Sequence, residues 1–177
     1  MYQLVQGVFP KVRWKKLVCN TSSAPKWLFI MMLVAHGRLY TKDRMIHWGM
    51  SVNSVCPLCE SENESISHLF FQCSVSTSMW NKLLQWLGQR RQAKAWEEEL
   101  TLAVNHHNGN SVAATIYRMA LTGCIYYMWQ ERNQIVFQGK RREISDLVKR
   151  IIHDVYFRGC LKVKLTKYLT MLNYYPS

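Results

Sequence analysis

Four residues in this 177-residue chain have both the types and the spacing to do chemistry together: Cys56, Cys59, His68 and Cys73. They form the pattern C-x2-C-x8-H-x4-C. A C-x2-C turn lets two thiolates reach one ion from a single knuckle. The H-x4-C spacing places a second pair about one helical turn apart, on nearly the same face of a helix expected to begin at Ile66. Eight intervening residues suffice to fold the knuckle back onto that helix. Three sulfurs and one imidazole suit Zn2+, which takes four such donors in a tetrahedron. All four positions are filled by protein, so none is left for a reactive water, and the expected zinc site is structural. It would contribute on the order of 10 kcal/mol to folding in a segment, 50–75, too polar to fold on its own apolar burial. Other histidines fit less well. His47 sits beside Trp48 on an expected helix, and His106-His107 is adjacent and loop-borne.

A catalytic reading finds little support. The only aspartates are Asp43, Asp146 and Asp154, whereas two-metal phosphoryl chemistry needs several convergent carboxylates. Glu97-Glu98-Glu99 is a run whose members point different ways on a helix, and it reads as a solvated face. No nucleophile elbow and no Gly-rich phosphate loop occurs. The expectation is a protein that is not an enzyme.

The elements that must position the quartet follow from composition and periodicity. Hydrophobic residues make up 49% of the chain and charged residues 19%, which fits a folded protein. The longest apolar run, Trp27 to Ala35, has nine residues; a membrane span needs about 20, so no membrane association is expected. Clustered cysteines without a signal peptide point to a reducing intracellular compartment, nucleus or cytoplasm, with an organelle left open. Helices are expected over 25–36, opened by Pro25, 42–48 capped by Thr41, 66–73, 74–87, 94–104, 111–136 capped by Ser111, 143–158 and 161–172. The helix 111–136 is apolar on nearly all faces, which marks it as central. No strong strand signal is present. The expected fold is mostly α: a zinc-knuckle-stabilised lobe over 1–88, with a C-terminal helical lobe over 89–177 packed against it.

Around the quartet the chain resembles a known family, the zinc-binding region C-terminal to the polymerase in plant non-LTR (LINE-type) reverse transcriptases, called zf-RVT. The resemblance rests on Trp14-Lys-Lys-Leu17, Pro25-Lys26-Trp27, Gly37-Arg-Leu-Tyr-Thr-Lys-Asp-Arg44, Trp48-Gly49, the knuckle itself, Glu64-Ser65, His68-Leu-Phe-Phe-Gln-Cys73 and Trp80. A tail, Tyr127-Met-Trp-Gln-Glu-Arg-Asn133 with Phe137, is similar to one seen in such proteins. The resemblance implies zinc on Cys56, Cys59, His68 and Cys73, together with nucleic-acid binding. Reverse transcription does not carry over, because no polymerase accompanies the region; the chain is expected to be a fragment or a stand-alone descendant.

Charge agrees with a polyanionic partner. The chain carries 23 basic and 11 acidic residues, a net charge of +12. Residues 1–60 hold eight basic and two acidic, 61–110 four and five, and 111–177 eleven and four, so two basic ends flank a neutral middle. The candidate phosphate contacts are Lys15, Lys16, Arg38, Lys42, Arg44, Arg141, Arg142, Lys149 and Arg150, with Trp14, Tyr40 and Trp48 interleaved for stacking on bases of RNA or single-stranded DNA. In the prelude Arg38 to Arg44, Leu39 is expected inward. Arg38 and Arg44 either face phosphate or pair with Asp43 or the acids between Glu60 and Glu64. The alternative for the whole chain is a scaffold that docks to a protein or within a ribonucleoprotein through helix 111–136 and the aromatic tail Tyr174-Tyr175-Pro176.

Overall fold

Helices form where caps and apolar spacing place them. The structure, a computed structural model, describes residues 14–19, 22–107 and 109–172. The tail at 174–176 and the side chain of Lys16 lie outside the described set. The elements are α1 (Lys15–Val18), α2 (Pro25–Ala35), α3 (Lys42–His47), a kinked turn at His68–Gln72, α4 (Ser74–Trp86), α5 (Trp96–His106), α6 (Val112–Gln138), α7 (Ile144–Cys160) and α8 (Val163–Met171). Among the described residues the mostly helical expectation holds, with one isolated antiparallel bridge, Val55 to Asn63.

Pro25 occupies the first helical position of α2, where its missing N–H costs nothing. Gly37 ends that helix at φ 63°. Its N–H reaches Val34 O, and that of Arg38 reaches Leu33 O, a paired closure that needs the left-handed conformation. Ser111 caps α6 as expected, its Oγ accepting from the Ala114 N–H at 3.2 Å.

The middle of α6, Ile116 to Ile125, is buried on every face. It packs against α2, α4, α7 and α8, which is why its sequence lacks a polar stripe. Gly123 permits a close approach of α2, since a Cβ there would lie 3.3 Å from the indole of fully buried Trp27. Buried side chains from both sides of residue 88 belong to one contiguous hydrophobic cluster.

The acidic run divides by helical geometry. Glu97 and Glu98 are exposed as expected, but Glu99 is fully buried. Arg91 grips both Glu99 carboxylate oxygens at 2.6 and 2.8 Å and also reaches the Tyr117 hydroxyl at 2.9 Å. The Lys94 N–H adds a further bond to Glu99 at 2.8 Å. Helical spacing alone does not reveal this, because Arg91 lies outside the helix.

His107 stacks on Tyr117 with ring centroids 3.6 Å apart. Burial, with help from the nearby cations Arg91 and Arg118, lowers its pKa from 6.5 to about 4. The unfolded chain therefore takes up this proton first. The resulting stability is complete above about pH 6.5 and is lost as pH falls toward 4. Comparing urea midpoints of wild type and His107→Phe across that window should show a smaller acid loss in the variant, which keeps the stack and cannot titrate.

Candidate metal centre and its surroundings

The knuckle is the tip of a small loop. Glu64 N–H bonds Ser54 O at 2.8 Å, Cys56 N–H bonds Glu62 O at 2.7 Å, and Glu60, at φ 57°, closes the turn by bonding Cys56 O. This presents Cys56 and Cys59 from one side.

The second pair is not presented by a regular helix. Five residues of α-helix rotate by about 500°, leaving His68 and Cys73 on different faces. The structure instead breaks the chain at Phe70 and Phe71, with Phe71 at φ 81°. Cys73 N–H returns to His68 O at 2.7 Å. The strained Phe71 is held at both backbone atoms: its N–H donates to Ser76 Oγ at 3.1 Å, and its carbonyl accepts from Thr77 Oγ1 at 2.8 Å. Its ring lies between Trp80 and Trp96. The expected continuous helix is thus corrected to a kinked turn, because only the kink aims both ligands at one point.

The four donor atoms lie within 4.8 Å of one another, and Cys59 Sγ is 3.3 Å from His68 Nε2. A zinc tetrahedron with Zn–S near 2.3 Å has edges of about 3.8 Å, so the donors fit the ion in number, chemistry and spacing. Cys56 and Cys73 are buried, whereas Cys59 and His68 are half-buried. The Cys56 side chain, together with the amides of Val75 and Ser76, holds the Cys73 thiol below its ordinary range against the opposing effect of burial. Contact with Cys73, reinforced by burial, pushes the Cys56 thiol far up. At Cys59 burial acts upward, but the Ser61 hydroxyl and the Ser61 and Glu62 amides outweigh it. Backbone amides aimed at the sulfurs stabilise thiolates. A bound cation would deprotonate coordinating thiols outright.

Three contacts fasten the knuckle to the helices, and the sequence revealed none of them. Arg141, between α6 and α7, donates to Leu58 O at 2.6 Å, Pro57 O at 3.0 Å and Glu60 Oε1 at 2.6 Å. Arg132 of α6 holds Glu64 through two bonds of 2.8 and 3.0 Å, both side chains being almost fully buried. Lys42 Nζ donates to Val55 O at 2.6 Å. Glu64 also accepts the Lys42 N–H at 2.9 Å, so it caps α3. Thr41 was expected to supply that cap. It occupies the cap position, but its side chain makes no capping bond. The acids Glu60 and Glu64 pair with Arg141 and Arg132, not with Arg38 or Arg44.

The candidate phosphate contacts separate into two groups. Arg44 donates to Gly37 O and lies over the Trp48 ring at 5.1 Å, while Arg142 holds Glu131 at 2.7 Å. With Lys42 and Arg141, these residues make internal contacts. Arg38, Lys15, Lys149 and Arg150 are exposed, and Arg150 lies 5.9 Å over the Tyr127 ring. Leu39 is buried as expected. Tyr40 and Trp48 are exposed and meet edge to face at 5.4 Å, whereas Trp14 is half-buried against His36.

Residues 1–80 match the family model zf-RVT, described as zinc-binding in reverse transcriptase. That span contains all four ligands, and over it the resemblance seen in the sequence is borne out. Arg132 and Arg141, which hold the knuckle, lie beyond the matched span. No curated protein and no solved structure matches the chain.

Proposed function

We propose that the chain is a non-catalytic, zinc-stabilised module that binds RNA or single-stranded DNA. The observation carrying this reading is the exposed Tyr40–Trp48 pair. It flanks α3, which is tied to the knuckle through Lys42 and Glu64. Large aromatics of a folded domain usually turn inward. Here two stand in solvent, 65% and 49% exposed, beside Arg38 and Arg44 in a chain of net charge +12. Aromatic faces next to cations suit unpaired bases. Four protein ligands leave the metal no open position, which favours a structural role over a catalytic one. Thiolate ligation favours a reducing compartment. Among the described residues, no helix is long and apolar enough to cross a membrane.

The test is fluorescence anisotropy with a labelled 15-nucleotide oligouridylate at two salt concentrations. Replacing Tyr40 and Trp48 together by alanine should weaken binding at least tenfold, at about 1–3 kcal/mol per stacked base, and leave the salt slope intact. Arg38→Ala should make the slope shallower by about one unit. Unchanged affinity in the aromatic variant would remove the reading. A second reading, docking to a protein partner, is favoured by the exposed Phe157, Leu161 and Val163 at the α7–α8 junction. Binding through that surface should barely respond to salt.

A further inference from the structure

A groove of about 850 Å3 runs along the outer face of α4, roofed by the connection at 89–92. It begins at Gln72 and Ser74, on either side of the ligand Cys73. Its eleven lining residues comprise five amides, three hydroxyls and the cations Lys82, Arg90 and Arg91; no carboxylate faces it. That segregation is not what local sequence charge predicts, since residues 61–110 hold five acids and four bases. The structure sends the acids elsewhere. Glu64 goes to Arg132, Glu97 accepts from Ser67, Glu98 pairs with Lys94, Glu99 is buried under Arg91, and Glu62 lies exposed in the knuckle loop. Lys82, Arg90 and Arg91 stand on one polar wall, Arg91 held by Glu99 and Arg90 exposed at the rim.

We propose that this groove is a second contact for single-stranded nucleic acid, an inference that rests on the nucleic-acid reading above. Arg90, exposed at the rim, offers a cation to phosphate, and the groove's side-chain amides present donors and acceptors together, as base edges and 2′-hydroxyls require. From Ser74 to Gln85 the helix provides about 16 Å, room for roughly four to five stacked nucleotides at about 3.4 Å each. An acidic peptide would use the cations but not the row of amides, and an apolar partner would find no apolar wall.

The experiment uses the full zinc-loaded chain with labelled 15-nucleotide oligouridylate and oligothymidylate. Ser78→Glu places an acid inside the groove, and Arg90→Glu reverses a cation on its exposed rim. Lys167→Glu, on the exposed face of α8, reports the effect of net charge alone. Each groove variant should lose about tenfold in affinity for at least one oligonucleotide at unchanged melting temperature, whereas Lys167→Glu should stay within about twofold. Groove variants that bind like Lys167→Glu, while the Tyr40/Trp48 variant is impaired, would overturn the groove and leave the nucleic-acid reading standing. A wild-type chain that binds neither oligonucleotide would remove both.

Discussion

Replacing Cys56 and Cys59 together by serine should abolish stoichiometric zinc binding and unfold the region around the knuckle. A structural zinc site contributes on the order of 10 kcal/mol, comparable with the entire 5–15 kcal/mol that stabilises a typical domain. The damage should extend beyond the loop. Without the metal, nothing covalent holds the knuckle to the His68–Cys73 turn, and Phe71 keeps its left-handed backbone only while Ser76 and Thr77 grip it. Releasing that turn exposes Phe70 and Phe71, which pack on Trp80 and Trp96. Chelation should therefore change tryptophan emission and lower the melting temperature together. The contacts among α6, α7 and α8 should retain part of the helical signal. A double variant with unaltered melting and emission would show that the metal does not organise this region.

Arg132→Met should be the most damaging single substitution outside the ligands. It strands the Glu64 carboxylate, which is 1% exposed, without its ionic partner. Breaking such a buried pair from one side costs about 3–5 kcal/mol. For a chain of this size that is a melting-temperature fall of roughly 10 °C. Glu64→Leu combined with Arg132→Met should recover part of the loss, since no buried charge remains. Recovery should stay incomplete because the Lys42 N–H also loses its acceptor. Thermal unfolding of the three variants checks this: a double variant no better than Arg132→Met alone would mean that the pair acts through packing rather than charge.

What could be read from the sequence was local. The quartet announces itself through spacing, because zinc dictates ligand types and a C-x2-C turn has few other uses. Most helix positions follow from Pro25, Ser111 and the apolar stripes. What stayed hidden depends on distance along the chain. Arg141 and Arg132 meet the knuckle across 81 and 68 residues, and no local pattern marks one arginine as a clamp and another as a surface cation. Thr41 was the expected cap because it occupies the right position, but Glu64 brings a full negative charge to the same N–H. The kink at Phe71 was missed because nothing in His-Leu-Phe-Phe-Gln-Cys signals a left-handed residue; the metal geometry and the hydroxyls of Ser76 and Thr77 impose it. The carboxylate-free lining of the groove was concealed by a near-zero local charge, because the fold turns Glu98 to Lys94 and buries Glu99 beneath Arg91.

Cys56, Cys59, His68 and Cys73 converge as a closed four-donor site for zinc. Zinc-edge X-ray absorption on the native protein tests it most directly. The expected spectrum is that of one zinc per chain, with three sulfurs at about 2.3 Å and one nitrogen at about 2.0–2.1 Å. A folded native chain without zinc, or a coordination shell containing a water oxygen in place of one of these ligands, would contradict it.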